Sequence, residues 1–103
     1  MAISQQVNAH NVGRRFADEV RQDPAAQGVW TRAVRDYIEL WLLTEPIDAE
    51  TERRFYAVGA SIHHWFPGAY VHFHLVNHRL FDEDTELVGD VIPSQAESIW
   101  LRS

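Results

Sequence analysis

Residues 23–46 read Asp23-Pro-Ala-Ala-Gln-Gly-Val-Trp-Thr-Arg-Ala-Val-Arg-Asp-Tyr-Ile-Glu-Leu-Trp-Leu-Leu-Thr-Glu-Pro46. Trp30, Val34, Tyr37 and Trp41 recur at helical spacing. Val29, Ala33, Leu40 and Leu43 widen that stripe, and Arg32, Arg35, Asp36 and Glu39 form one narrow polar face. Asp23 suits an N-cap and Pro24 the first helical position, where a missing N–H leaves nothing unsatisfied. Pro46 and the restricted residue before it end the element near Thr44. The spacing therefore predicts a helix. Because residues 37–43 are apolar nearly all round, it predicts a central one, covered on most sides.

Upstream, Val12, Phe16 and Val20 recur every four residues between Asn8 and Gln22, opposite Arg14, Arg15, Asp18, Glu19 and Arg21, which predicts an amphipathic first helix. Downstream, Asp48 is an N-cap with Glu50 and Glu52 in the following turn, and Phe55, Val58, Ile62 and Trp65 supply the stripe of a third helix that Pro67-Gly68 stops. From Ala69 the period changes to two. Val71, Phe73 and Leu75 fall on one face, and Tyr70, His72, His74 and Val76 on the other. Residues 82–85 are expected to turn the chain into a second strand over residues 86–92, antiparallel to the first, with Gly89 marking a bulge or a close approach. Residues 98–102 alternate like a third strand, although Ser94 and Glu97 also match a capping box. The expected fold is α+β over residues 1–103 as one domain: three N-terminal helices, the second central, packed on a small antiparallel sheet of two or three strands.

Composition narrows the function classes. Nine basic residues against fifteen acidic give a net charge of −6, which argues against a nucleic-acid backbone as partner. The acids gather late, with six against two arginines after residue 66. The absence of cysteine removes disulfides, thiolate metal sites and a cysteine nucleophile. No leader pattern or membrane-length apolar run occurs, so the expected location is the cytoplasm, away from membrane.

Five of six histidines lie between His63 and His78. His72 and His74 share one side of a strand, with Cα atoms roughly 6.6 to 7 Å apart, a spacing from which two imidazoles can converge on Zn²⁺. A catalytic zinc needs a third protein ligand. His78 could provide it only if the strand bends near Asn77, and of His63 and His64, which point about 100° apart on a helix, only one could do so. The segment Tyr70-Val-His72-Phe-His74-Leu-Val76 resembles, over seven residues, the alternating motif of the histidine triad nucleotide hydrolases. It departs from them at Tyr70, where that family has its first histidine, and in its helical upstream context, so no family assignment rests on it. Ser61, Ser94 and Ser98 show no triad spacing.

Phe81, followed by Asp82, Glu83, Asp84 and Glu86, puts carboxylates around one turn beside the histidine strand. Such a patch suits a basic protein surface. The expectation is a small acidic protein-binding module, built as regulators, immunity proteins and inhibitors are, without catalysis or cofactor. Its binding residues would be Tyr70, His72, His74, His78, Phe81, Asp82, Glu83, Asp84 and Glu86, its partner a protein with a basic patch, and self-association stays open. The alternative is a zinc-dependent or histidine-based enzyme centred on His72 and His74.

Overall fold

A computed structural model describes residues 7–103; residues 1–6, read above as lacking a leader pattern, lie outside the described residues. The chain runs α1 (Ala9–Val20), β1 (Ala26–Val34), β2 (Tyr37–Thr44), α2 (Ala49–Trp65), β3 (Val71–Asn77) and β4 (Glu97–Leu101), with a 3₁₀ turn at His78–Leu80 and a π-type turn at Leu87–Val91 before β4. The sheet is mixed, in the order β3-β2-β1-β4. β1 is antiparallel to β2 and β4, and β3 is parallel to β2, with α2 as the crossover between them. Both helices lie on one face, where Val12, Phe16, Leu40, Leu42, Phe55, Ile62 and Phe66 form the main core.

The expected architecture of three helices over an antiparallel sheet is overturned. α1 and α2 occupy the first and third of the expected helical stretches, but residues 26–44 form the hairpin β1–β2, the two central strands of the sheet. β2 is buried on both faces along most of its length and presents a nearly continuous apolar run, which periodicity alone does not separate from a buried helix, and β1 is buried from Gly28 to Thr31. Val29, Ile38, Leu40 and Leu42 pack beneath the helices, while Trp30 and Trp41 belong to a separate cluster on the opposite face. Asp23 caps no helix: its Oδ1 accepts from the Ala25 N–H at 3.0 Å and turns the chain into β1. Arg35 and Asp36 close the hairpin between the paired residues Val34 and Tyr37, and no non-glycine residue among those described has positive φ. The turn therefore carries no Asn-Gly or Asp-Gly signature.

The last third is corrected as well. Residues 86–92 are no strand but the π-type turn, held by Ile92 N–H to Leu87 O at 2.7 Å, with Gly89 at φ 111° and a lone bridge between Val88 and Ile92. The strand expected over residues 98–102 is present as β4, Glu97–Leu101, antiparallel to β1.

Two contacts fix the helix layer. A Cβ at Gly13 would lie 2.7 Å from Thr31 Cγ2 and 2.8 Å from Ile99 Cγ1, so α1 sits as close to β1 and β4 as glycine allows. Asn77, fully buried at the end of β3, donates through Nδ2 to Ile47 O and Glu52 Oε2, both at 2.9 Å. Its Oδ1 accepts from the Ile47 and Arg79 N–H groups, both at 3.1 Å. All of its amide capacity is used, and it ties β3 to the entry of α2.

Candidate functional site

The sheet face away from the helices is covered in part. Trp30, Trp41, Val76, Leu87 and Ile92 form a second buried cluster with Phe81, Leu43 and Val91 packed against it, so the segment after β3 folds back over that face. Beside this cover stands a group of polar and aromatic side chains: Tyr37, Glu39 and Trp41 from β2, Arg32 from β1, His72 and His74 from β3. Strand alternation sends them to the same side, and the parallel register sets His72 beside Glu39 and His74 beside Trp41.

The histidines lie on aromatic rings. His72 stacks on Tyr37 at 4.2 Å between centroids with the planes 17° apart, and His74 stacks on Trp41 at 5.3 Å and 21°. Trp41, itself only 4% exposed, therefore joins the histidine ledge to the buried cluster. Glu39 is the electrostatic centre. Its side chain is 12% exposed, Arg32 Nη2 donates to its Oε1, and His74 Nε2 lies 3.2 Å from its Oε2. Burial disfavours the charge, but the hydrogen bond and charge of Arg32, reinforced by His74, outweigh it and hold the carboxyl below the usual glutamate range. A carboxylate acceptor at Nε2 selects the tautomer with its proton there and leaves the lone pair of a neutral ring on Nδ1. Arg32 also approaches the Trp41 ring, its Cζ 5.9 Å from the centroid.

The residues expected from the sequence divide into groups. His72 and His74 share the face, both exposed. Tyr70 precedes β3, 73% exposed, with its carbonyl accepting from the Ile38 N–H at 2.8 Å. His78 has left the strand, and its Nδ1 lies 3.2 Å from Thr44 O. Phe81 packs into the second cluster, while Asp82, Glu83, Asp84 and Glu86 stand exposed on the segment that this cluster anchors. His63 and His64 are in the last turn of α2, in the layer on the other side of the sheet. Among the described residues, no group of three or more histidines and carboxylates is arranged to hold a metal ion.

Sequence reasoning missed Arg32, Tyr37, Glu39 and Trp41 as one group, because a helix over residues 24–44 divides them between its polar face and its apolar stripe. The signal present was the alternation Ile38-Glu39-Leu40-Trp41-Leu42, with one charged residue between four apolar ones. On the helix side, an open groove of about 440 Å³ runs between α1 and α2, lined by Glu19, Val20, Asp23, Arg54 and Phe55, and the Arg54–Asp23 pair at 3.4 Å bridges it. Among the described residues, no helix is long and apolar enough to cross a membrane. No protein-family model, curated protein or solved structure matches the chain.

Proposed function

We propose that the chain is a non-catalytic protein-binding module that presents the ledge of Tyr37, His72 and His74, with the exposed carboxylates of Asp82, Glu83, Asp84 and Glu86, to a protein partner bearing arginine or lysine. The observation that carries this is the pair of histidines stacked on Tyr37 and Trp41 on a helix-free sheet face. The aromatic and Glu39 contacts restrain both imidazoles in advance, so little side-chain freedom is lost when a partner covers them. Aromatic side chains with a polar edge are what interface centres favour, and a rim of carboxylates steers a basic partner.

A random peptide library displayed against the chain tests this. Selected peptides are expected to combine arginine or lysine with an aromatic residue, to bind less tightly as salt rises, and to lose at least tenfold in affinity on charge reversal by Asp82→Arg with Asp84→Arg. His72→Ala with His74→Ala is expected to weaken the same peptides without weakening that salt dependence. Selection of acidic or purely aliphatic peptides, or equal binding by both variants, contradicts the proposal.

A further inference from the structure

The two edges of the sheet are built differently. β4 is five residues long, its pairing with β1 is interrupted by a bulge between Val29 and Trp30, and it opens on Glu97, all features that discourage a further strand. β3 has seven residues, Val71–Asn77, without proline, glycine, lysine or a register shift, and it is the outermost strand among the described residues. Ile38 N–H donates to Tyr70 O, so Tyr70, His72, His74 and Val76 turn their backbone groups toward β2. The alternation then aims the N–H and C=O groups of Val71, Phe73 and Leu75 outward.

We propose that β3 pairs antiparallel with β3 of a second copy of this chain, making a two-fold dimer with one continuous eight-stranded sheet. Outward residues must oppose outward residues, and a register centred on His74 meets this over the accessible middle of the strand, while Asn77, fully buried, lies outside the pairing. It sets Phe73 against Leu75 of the second copy and His74 against His74.

Three features favour a second copy as the occupant. Tyr70 and Leu80, 73% and 64% exposed, flank the two ends of β3, and the antiparallel register brings each toward the other from the opposite chain. Tyr56, 50% exposed, stands on the α2 flank beside Phe73, at 5.5 Å between ring centroids, and α2 lies on the β3 side of the sheet through its Glu52–Asn77 bond. The two-fold sets α2 antiparallel to its copy, so the acidic first turn of one helix lies alongside the histidine-bearing last turn of the other. Charge also selects the direction. A parallel pairing would put both acidic 82–86 loops together. The antiparallel one separates them by the length of β3, about 23 Å, well beyond the Debye length of about 8 Å at physiological salt. It carries each loop toward the end of the other copy where Arg35, Asp36 and Tyr70 line a hollow of about 380 Å³, with no excess of negative charge. The two histidine ledges become one surface across the axis.

Sedimentation and amide exchange on the wild-type chain test this together. The expected mass is twice 11.9 kDa, with slow exchange at the amides of Phe73 and Leu75, which have no partner strand among the described residues of their own copy. Since the chain lacks cysteine, His74→Cys is expected to give a covalent dimer on oxidation. A monomer at millimolar concentration, or a dimer whose Phe73 and Leu75 amides exchange freely, overturns the proposal.

Discussion

Glu39 is the residue on which the ledge depends. Its carboxylate takes the Arg32 guanidinium on one oxygen and His74 on the other, and its ionisation is favoured in the folded chain. A folded-state pKa below the unfolded value means that the unfolded chain binds more protons between the two. The stability Glu39 contributes is therefore fully present above its ordinary value of about 4.3 and is lost as pH falls through the lower folded value. Asp48, whose carboxylate accepts from the Thr51 N–H at 2.8 Å and is held below its usual range by that bond, acts in the same direction. Urea titrations across the acid limb are expected to show a shallower loss of stability in Glu39→Gln than in the wild type; superimposable limbs would remove Glu39 from the account. Asn77 makes the other residue-scale expectation. Asn77→Ala leaves the Ile47 backbone without its partners and is expected to cost about 1 to 3 kcal/mol. Asn77→Asp should cost more at neutral pH, because a carboxylate has no N–H to give Ile47 O and would face Glu52. An Asp variant as stable as the Ala variant contradicts that arrangement. His72 and His74 were legible as a pair because strand alternation alone puts them together. Their partners were not, since a helical reading parts Arg32 and Glu39 from Tyr37 and Trp41, and only the hairpin and the β2–β3 register bring these side chains to the histidines.

At the scale of elements, β1 and β2 carry the molecule. They separate the two apolar clusters, and Trp41 fills the smaller while supporting His74. Trp41→Ala is expected to cost about 3 to 5 kcal/mol, a large share of what holds a domain of this size, and to release His74 from its stacked position. An unfolding midpoint that barely moves would show the second cluster to be peripheral. The helices were legible because each has one apolar stripe, and the second also shows Asp48 as an N-cap; Asp48 accepts from the Thr51 N–H, and Asn8, which carries no such reading above, from that of Asn11, both at 2.8 Å. The hairpin was hidden for opposite reasons. Its second strand is buried on both faces along most of its length, its turn has negative φ, and Asp23-Pro24 imitates a helix start while serving an Asx-type turn. The π-type turn at Leu87–Val91 imitates a strand because Leu87 and Ile92 both anchor it in the second cluster.

Across the whole molecule, the two sheet faces divide the work: one takes both helices and the main core, the other takes the aromatic cluster, the histidine ledge and the acidic segment. The late gathering of acidic residues was plain from the sequence. That the 81–92 segment folds over the histidine face required the packing of Phe81, Leu87 and Ile92 beside Trp30 and Trp41. Proton–nitrogen correlation spectra of the labelled chain, titrated with a short peptide of alternating arginine and tyrosine, test the assignment of that face as the binding surface. The account expects saturable shifts at the imidazoles of His72 and His74 and at the amides of residues 82–86, diminished by added salt, with the α1–α2 groove unmoved. Shifts centred on Glu19, Asp23 and Arg54 in that groove, with His72 and His74 silent, would contradict it.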